Sequence, residues 1–508
     1  KTYSVTAMRR RQRRCAVVTA AVVGTSFVIA QRTASSLAAP PITGTGKRAL
    51  PPPVVRDRHT GKRAELSLIQ VQVAFRHGAR TPMEDAAAMS DDVRWLPTDT
   101  DKAELLSGCR RIRLFPPGCG DGLEPADVLF ASGSGSAVPL HGGGAPGQLT
   151  RTGLKQAVAL GSDLRARYVD TDADSASAVR GSRLLPSEWS AARRLVVARS
   201  TLVERTVHTA QGVLSGLYPD CATDECAEVE LNGAPRDEWM VLTDVSCARL
   251  HQLFEQGLSL AAANRDAAQQ QVVEHIETGS HGTWRAHVAW QLIAFRDWYS
   301  CRVACRKPVP EHVAQVAASL DTAAARNMQT VFEGGAEFTP HPAETRREAL
   351  RLAIGRMLRF VVERLERPDQ MLHLYSGHDW TVTPLLLAVC RHDEPALRSW
   401  PPFCSSLALE LWSSGDTPLR HWASGGDPAA ADDGRYVRVL WNGAPVRLAC
   451  AESSNGVCTL ADFKSMVAPL LVQDFCRECQ PRVMRGPEIA TADSEKAHPP
   501  GATPAFNR

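Results

Sequence analysis

The strongest constraint on this chain is a seam where an apolar strand pattern runs without a break into a cluster of charge. Ile69, Val71, Val73 and Phe75 alternate with Gln70, Gln72 and Ala74, the two-residue period of a strand with two different faces. The run passes directly into Arg76-His77-Gly78-Ala79-Arg80-Thr81-Pro82. Polar groups just beyond a buried strand sit at its carboxyl end, where open α/β sheets bind ligands. The order strand, motif, helix recurs twice. Leu195 to Ala198 reads as a buried strand that runs through Arg199-Ser200-Thr201 into a helix towards Leu217. Met371 to Tyr375 is another, followed by Ser376-Gly377-His378-Asp379 and an apolar helix, Val382 to Val389. Between them, Thr150 is placed to cap a helix whose apolar face holds Leu154, Ala157, Val158, Gly161, Leu164 and Tyr168. Later strands are expected at Leu407–Trp412, Tyr436–Trp441 and Val446–Leu448, and Thr459 with Asp462 caps a last helix. The segment 83–148 is irregular, whereas 221–365 reads as mostly helical, for example Trp284–Trp298 and Leu350–Leu365. The class is α/β with a helical cap.

This organisation divides the 508 residues into parts. Residues 57–220 and 366–479 form the α/β core, 221–365 the cap, and 480–508 a polar, Pro- and Ala-rich tail read as disordered. Residues 1–56 stand apart, with ten Lys or Arg and no Asp or Glu. There, Arg9 to Arg14 precede sixteen mostly apolar residues, Cys15 to Ala30, and a Pro-rich linker. That order predicts a secretory signal cleaved near Val28 and Ala30, or a single membrane anchor formed by residues 15–30. An Arg-rich, acid-free head is also the composition of a mitochondrial presequence. Elsewhere the chain is slightly acidic, and the net charge is only +3, which speaks against a nucleic-acid partner. Fourteen cysteines, several in near pairs such as Cys301 with Cys305, Cys450 with Cys458 and Cys476 with Cys479, suggest a few structural disulfides. No zinc spacing accompanies the lone Cys-x-x-Cys. The oligomeric state is not readable.

The three motifs carry the chemistry. Arg76 and Arg80 place two guanidinium forks, which match phosphate oxygens, around the imidazole of His77. A neutral imidazole nitrogen can attack phosphorus once the charge on its oxygens is screened. Arg205, at the start of a helix, is a further anion ligand. His378 can bind phosphoryl oxygens while Asp379 gives a proton to the leaving alkoxide, and a bound anion would help Asp379 keep that proton. Arg199 and Thr81 are expected behind these groups. His141-Gly142-Gly143-Gly144 lacks a Gly-x-Ser-x-Gly partner and reads as a flexible loop, and the Trp290–Trp298 stretch as packing.

Together these residues resemble the histidine acid phosphatases, the second branch of the histidine phosphatase superfamily. The resemblance rests on Arg76 to Pro82, on Arg199-Ser200-Thr201 with Arg205-Thr206, on Gly377-His378-Asp379 and on the helix after Leu149-Thr150, and it spans about 66–479. It implies an α/β core with a mixed sheet and a helical cap, and a phosphohistidine mechanism without metal or other cofactor. In that mechanism His77 attacks, Arg76, Arg80, Arg205 and His378 hold the phosphoryl group, and Asp379 acts as acid. One position departs from the pattern: Leu202 stands where the family commonly has Asp or Asn. Within the family the chain is most similar to members acting on lysophosphatidate.

The implied substrate is therefore a small-molecule or lysolipid phosphomonoester. Glu84, Asp85, Asp91 and Asp92 follow the first motif, whereas an inositol-polyphosphate pocket, as in a phytase-like enzyme, should be ringed with Lys and Arg. A non-catalytic phospholipid-binding module and a phosphomutase of the superfamily's other branch are the competing readings. A mildly acidic optimum is expected if Asp379 starts protonated.

Overall fold

The computed structural model describes residues 50–55, 64–83, 93–117, 122–125, 138–170, 184–219, 226–232, 238–241, 247–280, 284–414, 434–450 and 456–482. The targeting run expected at 15–30, the tail beyond 482 and the segment 84–92 with its four acidic residues lie outside them. Among the described residues no helix is long and apolar enough to cross a membrane.

Among the described residues nine strands make one mixed sheet: β1 (Leu66–Arg76), β2 (Ile112–Phe115), β3 (Val196–Ser200), β4 (Ala227–Leu231), β5 (Leu372–Gly377), β6 (Ser406–Ser414), β7 (Arg435–Trp441), β8 (Ala444–Pro445) and β9 (Val457–Thr459). Their order is β2-β4-β3-β5-β1-β6-β7-β8, with β9 paired to β7. The first five are parallel, and the sheet turns antiparallel from β6 onwards. The three motif-bearing strands are therefore neighbours in the order β3, β5, β1. Register aligns their carboxyl ends: Arg76 lies beside Gly377, and Ser200 beside Ser376.

The alternation in β1 is real, but from Gln70 onwards neither face meets water. Val71, Val73 and Phe75 pack under two helices, Arg151–Tyr168 (α1) and Glu204–Leu217 (α2). Gln70 and Gln72 lie buried on the other face, where Gln72 Nε2 donates to Val361 O and accepts at Oε1 from the Tyr375 hydroxyl. A central strand can keep polar residues inside only if each is hydrogen-bonded in this way. That second face is covered by Pro342–Glu366 (α7) and Asp379–Val389 (α8), on which Ala248–Ala263 (α3), Ala289–Ala304 (α5) and Ala317–Phe332 (α6) stack, while Ala267–Gly279 (α4) packs against α5 and α6 in a separate apolar cluster. Leu460–Val467 (α9) is capped by Thr459 as its sequence predicts, although it is not the last helix: one turn, Phe475–Glu478, follows. Thr150 Oγ1 likewise accepts from Gly153 N at the start of α1.

Several expectations need correction. The irregular stretch 83–148 contains the edge strand β2, and the mostly helical stretch opens with β4. Both are short and half exposed, Ile-Arg-Leu-Phe and Ala-Glu-Val-Glu-Leu, so neither shows a long apolar run. The helix expected from Trp284 begins at Ala289, and Val446–Leu448 is not a strand; β8 is Ala444–Pro445 and Leu448 makes one bridge to Cys390. Cys450 bonds Cys458, but Cys479 bonds Cys247 and not its neighbour Cys476. Cys301 and Cys305 are free thiols.

Candidate active site

The three strand ends deliver Arg76, His77, Arg80, Arg205, His378 and Asp379 to one buried pocket. Backbone bonds lock them together: His77 N donates to Gly377 O, and Thr201 N to Ser376 O. Gly78 is required at the seam, since a Cβ there would lie 2.3 Å from Gly153 O of α1. Its N–H donates instead to Thr209 Oγ1 of α2, so the motif is braced by both helices. Thr81 Oγ1 donates to Ala145 O and accepts from Gln148 N, tying the loop to the start of α1.

His77 Nδ1 lies 2.8 Å from Gly78 O. A carbonyl only accepts, so Nδ1 carries the proton and Nε2 keeps a free lone pair. Burial pushes the imidazole well below its usual pKa, and Arg205, Arg76 and Arg80 push the same way. His77 is thus a neutral base among cations. His378 is fixed in the opposite tautomer. Its Nδ1 lies 3.3 Å from Arg205 Nη2, a donor, and its Nε2 is 3.0 Å from Thr201 Oγ1, so the proton sits on Nε2. Burial and Arg205 hold this ring well below its usual pKa as well. The two imidazoles stand edge to face, 5.5 Å between centroids. His378 is therefore a neutral imidazole whose Nδ1 lone pair faces Arg205. Burial and the neighbouring Arg80 bring Arg205 down to about 9, still protonated at neutral pH.

Asp379 opens helix α8. Its Oδ2 lies 2.8 Å from Arg76 Nη2 and accepts from Trp400 Nε1 at 3.2 Å. Burial alone would raise its pKa, but Arg76, Arg80, His378 and the indole outweigh it and leave the carboxyl below its usual range. These contacts favour the ionised form of Asp379, so a proton on it needs a neighbouring anion to hold it there. Arg76 is fixed further by Pro401 O at 2.7 Å and lies 4.2 Å over the Phe403 ring.

Sequence reasoning missed Asp297. It projects from α5, accepts from Arg80 Nη2 at 2.9 Å and lies 3.8 Å from Arg76 Nη2. Nothing local marks it, since it sits inside the Trp290–Trp298 stretch read as packing. Arg199 lies apart from these contacts: it pairs with Glu230 of β4, and its guanidinium sits 4.8 Å over the Phe360 ring. Leu202 packs, partly buried, against the apolar cluster under α1 and α2. The glycine run at 141–144 is not loose: Gly144 N donates to Trp95 O, Trp95 N donates to His141 O, and Gly142 and Gly143 have positive φ. Among the described residues no group of three or more His, Cys, Asp or Glu side chains could hold a metal ion.

This arrangement can grip a dianion and present a nucleophilic nitrogen to it. The profile of the histidine phosphatase superfamily (branch 2) matches residues 67–279. A probable acid phosphatase of Schizosaccharomyces pombe is 25% identical over 82% of this chain and 95% of its own. The human lysophosphatidic acid phosphatase type 6 is 25% identical over 69% of this chain and 75% of its own. Among solved structures, the apo form of Hafnia alvei phytase shares the fold, with a TM-score of 0.50 and 14% identity over 82% of this chain and 99% of that one. The seam at Arg76, the matched profile and these relatives agree: residues 67–279 carry the pattern of the histidine phosphatase superfamily, branch 2, and the chain is a phosphomonoesterase similar to its acid phosphatases.

Proposed function

We propose that this phosphomonoesterase works through a phosphohistidine on His77. The observation that carries the reading is the tautomer of His77: Nδ1–H is tied to Gly78 O, so Nε2 is free among three guanidinium groups. Arg76, Arg80, Arg205 and His378 hold the phosphoryl oxygens, Arg76 and Arg80 exchanging part of their carboxylate contacts for the substrate. Nε2 forms the N–P bond as the ester P–O bond breaks, and the departing alkoxide takes a proton from Asp379. Water then attacks phosphorus, gives its proton to the Asp379 carboxylate, and the N–P bond breaks to release phosphate. The contacts of Asp379 favour its ionised form, so the proton must arrive with the substrate.

The substrate is a small or lysolipid monoester such as lysophosphatidate. What supports this choice is the pocket's chemistry together with the relatives of that name. Beside the cations stand Asp297, Trp400 and Phe403, carboxylate and aromatic groups unsuited to a ring of further phosphates. The test is phosphate release from lysophosphatidate, phytate and p-nitrophenyl phosphate, with rapid quench of a labelled monoester. An acid-labile, base-stable label on His77, absent from His77→Ala, is expected. Full turnover by His77→Ala, or label on another residue, would remove the mechanism. Wild-type protein that binds one ester yet hydrolyses none would point to a binding module, and phytate ranking first would overturn the substrate choice.

A further inference from the structure

The pocket holds one carboxylate more than the chemistry above uses. Arg76, Arg80 and Arg205 face Asp379 and Asp297, while burial and the arginines keep His77 and His378 neutral. Among the described residues, the other titratable groups packed against Arg76 and Arg80 add no net charge. Arg296 of α5, next to Arg76, is bound by Asp321 at 2.6 Å, and burial keeps Cys301 a thiol although Arg80 Nη1 is 3.7 Å from its sulfur. Trp400 contributes only an N–H. Three cations against two carboxylates leave one positive charge. A phosphomonoester dianion brings two negative ones, and an unbalanced charge in a buried pocket is expensive. The least costly remedy is one proton from solvent. Without Asp297 the pocket would carry two positive charges and take the dianion with no proton.

We propose that Asp297, reaching in from α5, is a positioning residue that leaves the pocket one charge short of a phosphate dianion, so that substrate binding draws a proton onto Asp379. This rests on the reading of Asp379 as the acid, and it supplies what that reading lacks, a way to load the acid when its contacts favour the ionised form. Asp297 acts through its contacts with Arg80 and Arg76. Each anion bound takes up one proton from bulk water, and the leaving group then receives it.

Sulfate is the probe, because it stays doubly charged across the range of interest. Calorimetry in two buffers of different ionisation heat counts protons. For the wild type, about one proton is expected per sulfate, with affinity falling about tenfold per pH unit between roughly pH 5 and 7. Asp297→Asn should bind sulfate at least about tenfold tighter at neutral pH, with little pH dependence. Asp297→Glu keeps the wild-type slope, and Asp297→Ser removes it by a route independent of amide docking. In turnover, Asp297→Asn should lose kcat on glycerol phosphate, a poor leaving group, while keeping p-nitrophenyl phosphate within a few-fold. Sulfate binding by the wild type with no proton uptake overturns the proposal. So does an unchanged slope in Asp297→Asn, or a full proton still taken up by Asp379→Asn. If the wild type binds sulfate with one proton but releases no phosphate, the catalytic reading fails and the charge assignment to Asp297 stands.

Discussion

Trp400 and Asp379 meet across 21 residues of sequence: the indole N–H donates to Oδ2 at 3.2 Å, on the oxygen that Arg76 Nη2 approaches to 2.8 Å. The indole is itself held, its backbone N–H donating to Asp321 Oδ2 at 3.3 Å and its ring lying 4.8 Å from the Arg296 guanidinium. Trp400 thus sets both the orientation and the acidity of the carboxyl. Trp400→Phe removes a hydrogen bond to a charged group, worth about 1.5–3 kcal/mol. Because that bond favours the ionised form, its loss raises the pKa of Asp379. The basic limb of kcat/KM should move to higher pH, and kcat on alkyl phosphates should fall about tenfold through misorientation. A pH–rate profile on glycerol phosphate decides it, and an unmoved basic limb would count against the assignment.

Thr201 governs the other histidine. Its hydroxyl faces His378 Nε2 at 3.0 Å and Thr206 Oγ1 at 2.8 Å, within a buried chain that includes Ser200. Thr201→Val keeps the shape and removes the acceptor that fixes the tautomer. The expected result is about a tenfold loss of kcat/KM, in line with one buried hydrogen bond, with Thr201→Ser close to wild type. Histidine nitrogen NMR would report the tautomer directly.

Gly153 is a contact point between scaffold and site. A Cβ there would lie 2.1 Å from Ala79 O, and both partners are backbone, so no rotamer relieves the clash. Gly153→Ala should push α1 away from the motif loop, lowering stability by about 1–3 kcal/mol and raising KM more than the equally conservative Ala157→Gly. Thermal melts with kinetics on p-nitrophenyl phosphate test this.

His373 predicts an acid limit to stability. It is buried in β5, neither ring nitrogen has a hydrogen-bond partner among the described residues, and burial brings its pKa down to about 4. The folded value lies below the unfolded one, so the unfolded chain binds a proton that the folded chain refuses. The stability at stake is fully present above about pH 6.5 and is lost as pH falls towards 4, about 3 kcal/mol in all. His373→Leu should flatten that loss. Urea midpoints at pH 7 and pH 4 provide the comparison, and equal drops in both proteins would refute it.

Much of this was legible in the sequence because the informative residues come in short runs. Arg76 to Pro82 follows its strand directly, and Gly377-His378-Asp379 ends another, so local order alone placed them at strand ends. Thr150 and Thr459 announced their helices by the same local logic. Asp297 and Trp400 were not legible as site residues, since each acts through a partner more than twenty residues away. Arg199 shows the converse failure: it sits in the right motif, but on a strand alternate residues face opposite ways, and its side chain pairs with Glu230 instead. The strands β2 and β4 escaped because strands of four or five residues carry too few apolar positions to show a period.

The pocket draws on residues from Arg76 to Phe403, supplied by β1, α2, α5, α8 and the segment after Trp400. Its parts are therefore far apart along the chain, and a nascent polypeptide cannot hold phosphate until nearly all of it has emerged and packed. Conversely, a bound oxyanion couples those distant segments thermodynamically, since freeing any one of them forfeits the binding energy. Amide exchange in α5 should then slow on adding sulfate as much as exchange at the strand ends does, making occupancy of the pocket a global brake on opening rather than a local one.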